Sequence, residues 1–243
     1  TMLLPNALDV LSTNWSRNIS AARVFELGNT FFNNGKGPDG LPEEKDALCL
    51  AAYGILENFY LMKGRTQELL SLLGVKNIKY VTEKNDPSFH PGRCARIEKD
   101  GTCLGVVGQL HPQIAESYGI DCEVYAAELD FKTVFLLANS EKKYVPLPKY
   151  PAMARDFALV VKEEIKAGDL EDTIGKEAGE LLESVFLFDV YRGIPVPPGS
   201  KSLAFSLTYR AKDRTLTDAE VNEINMKVLS ALKNNYNAVL REL

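Results

Sequence analysis

Four polar or aromatic side chains in the last third of the chain fall on two segments with the period of half-buried strands. Apolar and polar positions alternate over 184–191 and again over 202–210, and a loop rich in Pro and Gly separates the two segments. One face of this predicted pair carries an acceptor, an aromatic ring, a hydroxyl and a cation: Asp189, Tyr191, Ser202 and Arg210. Such a face suits an unstacked nucleic-acid base, which is bound by stacking and by its hydrogen-bonding edge.

The same pattern is also typical of an ordinary solvated sheet surface. Tyr is frequent in strands because it packs well on a pleated surface, and polar groups occur on most exposed sheet faces. The strand pair alone therefore leaves base binding and a plain surface as open alternatives.

Charge limits the ways in which the chain can bind nucleic acid. The 243 residues carry a net charge of −5, with 28 Lys+Arg against 33 Asp+Glu, and residues 148–243 are acidic as well. A strong autonomous nucleic-acid binder is usually basic. If RNA is the partner, the sequence predicts a local patch rather than a basic domain, and we expect no DNA binding.

Metal ligands and membrane segments are not indicated. Cys49, Cys94, Cys103 and Cys122 lack C-x-x-C spacing, and the two histidines both stand in His-Pro pairs. This pattern predicts no metal site and buried, reduced thiols in a cytoplasmic protein. No run of about 18 apolar residues occurs, so we expect no membrane span.

The first part of the chain reads as a mixture of helices and strands. Because it opens inside an apolar helical pattern, we expect a fragment of a longer protein. The region 47–54 is a continuous run of small apolar residues, typical of a strand buried on both faces. Asp100-Gly101 predicts a hairpin turn. We predict helices over 3–17, 112–118 and 131–138, and a further helix that the segment 58–64 leads into, which runs through 69–73 and stops at Gly74. We predict strands over 23–32, 47–54, 94–98, 102–108 and 124–129.

A second domain is predicted after a charged and Pro-containing linker at 141–148. Its elements follow the order strand, helix, strand, strand, helix, strand, at 157–161, 167–177, 184–191, 202–210, from Thr217 onward, and 238–240. Thr217 and Glu220 have capping-box spacing. This order is the ferredoxin-like split β-α-β unit, with helices on one face of a sheet and the other face open.

Dispersed sequence motifs along the whole chain carry a family resemblance. In the second half they are Tyr150-Pro151 with Arg155-Asp156, Leu187-Phe188-Asp189-Val190-Tyr191-Arg192-Gly193, Gly199-Ser200-Lys201-Ser202, and Asp213-Arg214-Thr215-Leu216-Thr217. In the first half they include Phe25-Glu26-Leu27-Gly28, Phe59-Tyr60-x-x-Lys63-Gly64, His90-Pro91-Gly92-Arg93, and Gly108-Gln109-Leu110-His111-Pro112. The chain resembles the C-terminal part of the bacterial phenylalanyl-tRNA synthetase beta subunit family.

This resemblance implies an α+β chain of two domains. Residues 1–145 would form a degenerate class II aminoacyl-tRNA synthetase-like core with a mixed, mainly antiparallel sheet. Residues 149–243 would form a ferredoxin-fold anticodon-binding domain. The resemblance further implies part of a cytoplasmic, ATP-dependent phenylalanine–tRNA ligase, in which this chain scaffolds the catalytic alpha subunit within α2β2 and recognises the anticodon stem-loop of tRNA-Phe. ATP and magnesium would be bound by the alpha subunit and no cofactor by this chain.

The resemblance also implies that the first domain has lost catalysis. Arg23 stands in R-x-x-E rather than R-x-E spacing, and a shift of one residue turns a strand side chain to the opposite face. Where the catalytic relative has two glycines and an arginine, this chain has Glu128, Asp130 and Thr133. Carboxylates repel a triphosphate, so we expect no catalytic residue here. A role of Glu128 and Asp130 in acid–base catalysis is the less favoured alternative.

The residues that match the family's positions for the first anticodon base are Ala158, Asp189, Tyr191 and Ser202. In this reading Tyr191 stacks, Asp189 accepts from a guanine N–H, Ser202 hydrogen-bonds, and Ala158 leaves room for the base. Candidate contacts to the tRNA backbone are Arg155, Arg192, Lys201, Arg210 and Arg214. The rival hypothesis is a ferredoxin-like metabolite-binding or purely structural oligomerisation module, because that fold hosts both.

Overall fold

A computed structural model of the protein describes residues 2–139, 141, 144 and 146–241. The chain divides into two compact units, Thr1–Lys143 and Tyr144–Leu243. Positions 142, 143 and 145 of the predicted linker lie outside the described residues. Both units combine helices with antiparallel sheets, so the predicted α+β class is confirmed. None of the helices in the described part of the chain is long and apolar enough to span a membrane.

Unit 1 is built on a six-stranded antiparallel sheet in the order β1-β2-β6-β5-β4-β3. Its strands are β1 (Ala22–Phe32), β2 (Glu43–Tyr53), β3 (Lys79–Thr82), β4 (Phe89–Lys99), β5 (Thr102–Leu110) and β6 (Val124–Asp130). Its helices are α1 (Leu4–Ser16), α2 (Phe59–Leu72), α3 (Pro112–Ser117) and α4 (Phe131–Leu137).

Two cores cover the two faces of this sheet, and β2 contributes to both. Cys49 and Ala51 pack with α1 on one face, whereas Leu48 and Ala52 pack with α2 and α4 on the other. The alternation follows from the period of two in a strand. The prediction that 47–54 is a strand buried on both faces is therefore confirmed.

The strands near β4 differ from prediction in extent. The turn at Asp100 and Gly101 has positive φ at both residues, so the Asp-Gly hairpin is confirmed. β3 has only four residues and was not predicted. β4 begins at Phe89 rather than Cys94, and its register with β5 shifts between these two residues. Pro91, which has no N–H to donate to the ladder, lies within this irregular stretch.

Outermost in this sheet, β1 exposes one row of apolar side chains. Phe25 is 75% exposed, and Leu27 and Phe31 are each more than half exposed. The alternate residues, such as Val24 and Thr30, turn toward the α1 side or are buried. The edge strand therefore presents an uncovered hydrophobic row.

Cysteine burial is only partly as expected. Cys49 and Cys94 are buried, and burial raises the pKa of both thiols to about 12. Cys103 is exposed and Cys122 is half-buried, so the expectation that all four thiols are buried is wrong for these two. Cys103 lies near the start of β5, next to the Asp100-Gly101 turn, where the first two strand residues are exposed.

Unit 2 has the order β7 (Met153–Lys162), α5 (Ala167–Ala178), β8 (Leu182–Tyr191), β9 (Ser200–Tyr209), α6 (Asp218–Tyr236) and β10 (Val239–Leu240). The antiparallel sheet has the order β10-β7-β9-β8. Leu159, Leu203 and Phe205 pack with both helices on one face. The predicted split β-α-β order, the edge strand at the C-terminus and the capping box at Thr217 are confirmed.

Candidate nucleic-acid interface

The open face of the unit 2 sheet is formed by cross-strand rows of residues that point away from the helices. In one row, Ala158 on β7 pairs with Ala204 on β9, which pairs with Asp189 on β8. In the next row, Val160 pairs with Ser202, which pairs with Tyr191. The register therefore brings the four predicted base-binding positions into two adjacent rows on one face.

A β-bulge is what places Asp189 and Tyr191 on this face. The β8–β9 register shifts between Leu187 and Asp189. Before the shift, Val185 and Leu187 turn inward to the helical core. Without it, strict alternation would put Asp189 and Tyr191 on that same buried side. The bulge was not predicted from the sequence, although Asp189 and Tyr191 were placed on the open face.

The ring of Tyr191 is fixed at its hydroxyl end and partly exposed. Its Oη donates a hydrogen bond of 2.9 Å to the carbonyl of Ile194, and 38% of the residue is exposed. A Cβ on Gly193 would come within 2.5 Å of this hydroxyl, so the glycine makes room for the ring. The guanidinium carbon of Arg241 lies 5.0 Å from the ring centroid. The tyrosine is thus held in place before any ligand binds.

The other three predicted residues differ in accessibility. Asp189 is exposed and Ala158 is half-buried. Ser202 lies in the row of Tyr191 but is only 2% exposed. Its hydroxyl therefore does not stand on a bare surface, which is what the sequence analysis expected of the central strand.

All five predicted backbone cations are ion-paired within unit 2. Arg192 and Lys201 both approach Glu163, at 2.8 and 3.9 Å. The other three pairs are Arg155 with Asp218, Arg210 with Glu183, and Arg214 with Glu220. Surface ion pairs contribute little free energy, so a phosphate could displace the exposed ones. The contact of these five cations with the tRNA backbone stays a prediction.

Two of these cations do not lie where the sequence analysis placed them. Arg210 follows β9 at its far end, eight residues from Ser202, a separation of about 26 Å along a strand. It also donates to the carbonyl of Tyr150. Arg210 is therefore not grouped with Tyr191. Lys201 is buried and donates to the carbonyl of Glu163 at 2.8 Å, so it does not present a surface cation.

Unit 1 contains a cleft of about 530 Å³ on the α1 side of its sheet, where the family resemblance implies a lost ATP site. Among the described residues that line it, five carboxylates face two cations; the acidic set is Asp46, Glu83, Asp86, Glu128 and Asp130, and the basic set is Lys45 and Arg96. Arg96 already pairs with Glu83 at 3.4 Å. The excess negative charge opposes triphosphate binding.

The two key carboxylates of this cleft have structural partners. Glu128 accepts a hydrogen bond of 3.0 Å from the amide of Leu4 at the start of α1, and burial raises its pKa. Asp130 accepts from the amide of Thr133 and caps α4. Both carboxylates therefore stabilise helix N-termini.

Arg23 turns away from the cleft. Its side chain lies on the other face of β1 and donates to Glu57 at 2.7 Å. The β1 residues that line the cleft, Thr30 and Phe32, stand at even-numbered positions and so lie on the opposite face of the strand from Arg23. This agrees with the expectation that the R-x-x-E spacing turns the arginine to the other face. Within the described residues, no group of three His, Cys, Asp or Glu side chains could hold a metal ion.

Comparison with known proteins assigns both units. Residues 1–131 match the family described as "Phenylalanyl tRNA synthetase beta chain CLM domain". The chain belongs to the phenylalanyl-tRNA synthetase beta chain family. Residues 148–241 match the "Ferredoxin-fold anticodon binding domain", which agrees with the β10-β7-β9-β8 sheet.

Relatives of this beta chain family confirm the resemblance drawn from the sequence. A phenylalanine–tRNA ligase beta subunit of Clostridium tetani is 41% identical over 241 residues, and one of Clostridium acetobutylicum is 37% identical over 244. Both alignments cover 99% of this chain but only 30% of the relative.

Among solved structures, a pyrrolysyl tRNA synthetase of Desulfitobacterium hafniense aligns with a TM-score of 0.47 at 17% identity, covering 56% of this chain and 48% of that one.

Proposed function

We propose that this chain is the part of a phenylalanine–tRNA ligase beta subunit that recognises the anticodon stem-loop of tRNA-Phe and scaffolds the catalytic alpha subunit. The observation that carries the proposal is the anchored ring of Tyr191 beside Asp189 on the open face of an anticodon-binding-type sheet. A fixed aromatic plate with a neighbouring acceptor fits an unstacked base.

In this proposal the two units have separate tasks. Residues 1–145 form a non-catalytic class II-like domain that contacts the alpha subunit in an α2β2 assembly. Residues 149–243 bind the anticodon. The acidic cleft in unit 1 supports the non-catalytic role. ATP and magnesium are bound by the alpha subunit, and the enzyme works in the cytoplasm, where tRNA is charged for translation.

Within the site, the bulge aims Asp189 and Tyr191 at the same nucleotide. Tyr191 stacks on the first anticodon base, and Asp189 accepts a hydrogen bond from its Watson–Crick edge. Ala158 and Ala204 are small and leave depth between the strands. Ser202 lies in the row of Tyr191 and, at 2% exposure, reaches the base only after a local rearrangement.

Replacement of Tyr191 tests this proposal. In the ligase of both subunits, we expect Tyr191→Ala to raise KM for tRNA-Phe about 10-fold or more, because a stacked base is worth about 1–3 kcal/mol. Tyr191→Phe keeps the ring and loses only the bond to Ile194, so it is the matched control and should stay within about threefold.

Other results would contradict the proposal. An unchanged KM for Tyr191→Ala removes the tyrosine from the site. If the wild-type protein binds tRNA-Phe no better than a non-cognate tRNA, and binding does not weaken with salt, the metabolite-binding or structural module is the better account.

A further inference from the structure

The side chains of Tyr191 and Arg241 meet above the open face although their strands lie at opposite edges of the sheet. β10 and β8 are separated by β7 and β9, three strand spacings, or about 14 Å. The amide of Arg241 donates to the carbonyl of Ala158 at 2.8 Å, which fixes its backbone in the row of Asp189. The guanidinium and the ring, 5.0 Å apart, therefore lie above the central strands, where Ala158 and Ala204 have small side chains.

Arg241 differs from the five cations predicted from sequence. Each of those is paired with a carboxylate of unit 2. Within residues 2–139, 141, 144 and 146–241, the guanidinium of Arg241 lies over the Tyr191 ring, and no carboxylate lies within ion-pair distance of it. An exposed cation–π contact is worth only about 0.5–1 kcal/mol, so this arginine is easily moved.

Space decides what happens when a base stacks on the covered ring face. A base between two planar groups needs about 7 Å, twice the carbon–carbon contact distance. The guanidinium lies at 5.0 Å, so it must leave that face. Because its backbone is held on Ala158, the moved guanidinium remains beside the bound nucleotide.

Charge decides where the guanidinium goes. Asp189 lies in the same cross-strand row and repels the phosphates that accompany any base. A cation at the opposite end of that row offsets this repulsion, and a guanidinium binds phosphate with two parallel hydrogen bonds.

We propose that Arg241 is a tRNA-binding residue. In the free protein it covers one face of the Tyr191 ring; when the first anticodon base stacks on that face, the arginine moves off it and binds a phosphate of the same loop. This inference rests on the proposed function and adds to it a residue that the sequence analysis did not name.

The test is binding of a labelled tRNA-Phe anticodon stem-loop to the ligase of both subunits over a series of KCl concentrations. We expect Arg241→Ala to weaken binding about fivefold or more at low salt. We also expect its log–log salt slope to become less steep by about 0.7, the value for one single-strand phosphate contact. Arg241→Lys keeps the charge and should retain the wild-type slope.

Lys227→Ala is the matched control, because Lys227 is a surface cation on α6 that pairs with Glu177 at 3.7 Å. It should change neither affinity nor slope. Thermal unfolding of each variant confirms that it is folded.

The inference is overturned if Arg241→Ala binds as tightly as the wild type, binds more tightly, or binds more weakly with an unchanged salt slope. Tighter binding would mean that the arginine only competes with the base. The proposed function fails separately, when the wild-type protein itself does not prefer the tRNA-Phe stem-loop over a non-cognate one.

Discussion

Glu128 has a structural role in the acidic cleft of unit 1. Its carboxylate accepts the amide of Leu4, one of the amides at the start of α1 that have no partner within the helix. The residue is partly buried, and this burial raises its pKa despite the hydrogen bond. A carboxylate of the acidic cleft thus serves to hold α1 on the sheet.

Substitution of Glu128 separates its hydrogen bond from its charge. Glu128→Ala should lower the free energy of unfolding by about 1–3 kcal/mol, because the Leu4 amide loses its acceptor. Glu128→Gln keeps an acceptor and should cost less. Chemical denaturation at pH 7 measures both, with Glu116→Gln on the exposed face of α3 as control.

The pH dependence of these variants has a definite sign. A carboxyl whose folded pKa is raised destabilises the protein as pH rises from the unfolded pKa, about 4.3, through the folded value. Glu128→Gln lacks this loss, so its stability relative to the wild type should increase from pH 4 to pH 7. A constant difference over that range would contradict the buried carboxylate.

Several single residues were predictable because their signals are local. The capping box at Thr217 and the turn at Asp100-Gly101 follow from short-range chemistry, and the face of Arg23 follows from strand parity. The low exposure of Ser202 was not predictable, because burial on a sheet face depends on tertiary packing that the strand period does not record.

At the scale of elements, a buried carboxylate joins β1, the segment after β2, and α2. The side chain of Glu57 is 1% exposed and accepts from Arg23 and from both terminal nitrogens of Arg65. The hydrogen bonds from Arg65, then from Arg23, lower its pKa. Because an unpaired buried charge is costly, the three residues act as one unit.

Removal of the arginines should therefore be more than additive. Arg65→Met should cost about 1–3 kcal/mol of unfolding free energy, and the Arg23→Met/Arg65→Met double variant about 3–5 kcal/mol. Arg17→Met, at the exposed end of α1, is the control. Urea denaturation of the wild type, Arg23→Met, Arg65→Met and the double variant measures the coupling, and strictly additive costs would contradict a shared buried partner.

The lowered pKa of Glu57 should also appear in the acid dependence of the free energy of unfolding. A lowered folded pKa gives stability that is present above the unfolded pKa, about 4.3, and is lost as pH falls through the folded value. Arg65→Met removes the main interaction that lowers the pKa of Glu57. The free energy of unfolding of this variant should therefore depend less on pH in this range than that of the wild type.

The order of the elements was predictable, whereas irregularities of the backbone were not. Periodicity and turn residues located β7 to β10 and both helices of unit 2. The bulge between Leu187 and Asp189 carries no Gly or Pro signal, although it decides which way Tyr191 points. A bulge depends on pairing with β9, which sequence periodicity does not record.

For the whole molecule, the two units have separate hydrophobic cores. The core clusters of unit 1 include residues up to Leu137, and that of unit 2 begins at Met153. Each unit therefore buries its own apolar surface, as an independently folding domain does.

Separation of the chain between 143 and 144 tests this division together with the proposed tasks. We expect each half to unfold cooperatively in calorimetry. The first half should co-purify with the alpha subunit, and the second should shift the tRNA-Phe anticodon stem-loop in a gel. Alpha-subunit capture by the second half alone would reverse the assigned roles.

The outermost strand of unit 1 has a practical consequence for anyone who purifies this chain. At the edge of the sheet that the described residues form, β1 pairs with a strand on one side only, and it exposes Phe25, Leu27 and Phe31. Strands of this kind are templates on which further copies add, edge to edge, as protein concentration rises. Stock solutions of the chain are accordingly best kept dilute and away from its isoelectric point, near pH 5.3, where electrostatic repulsion between molecules vanishes.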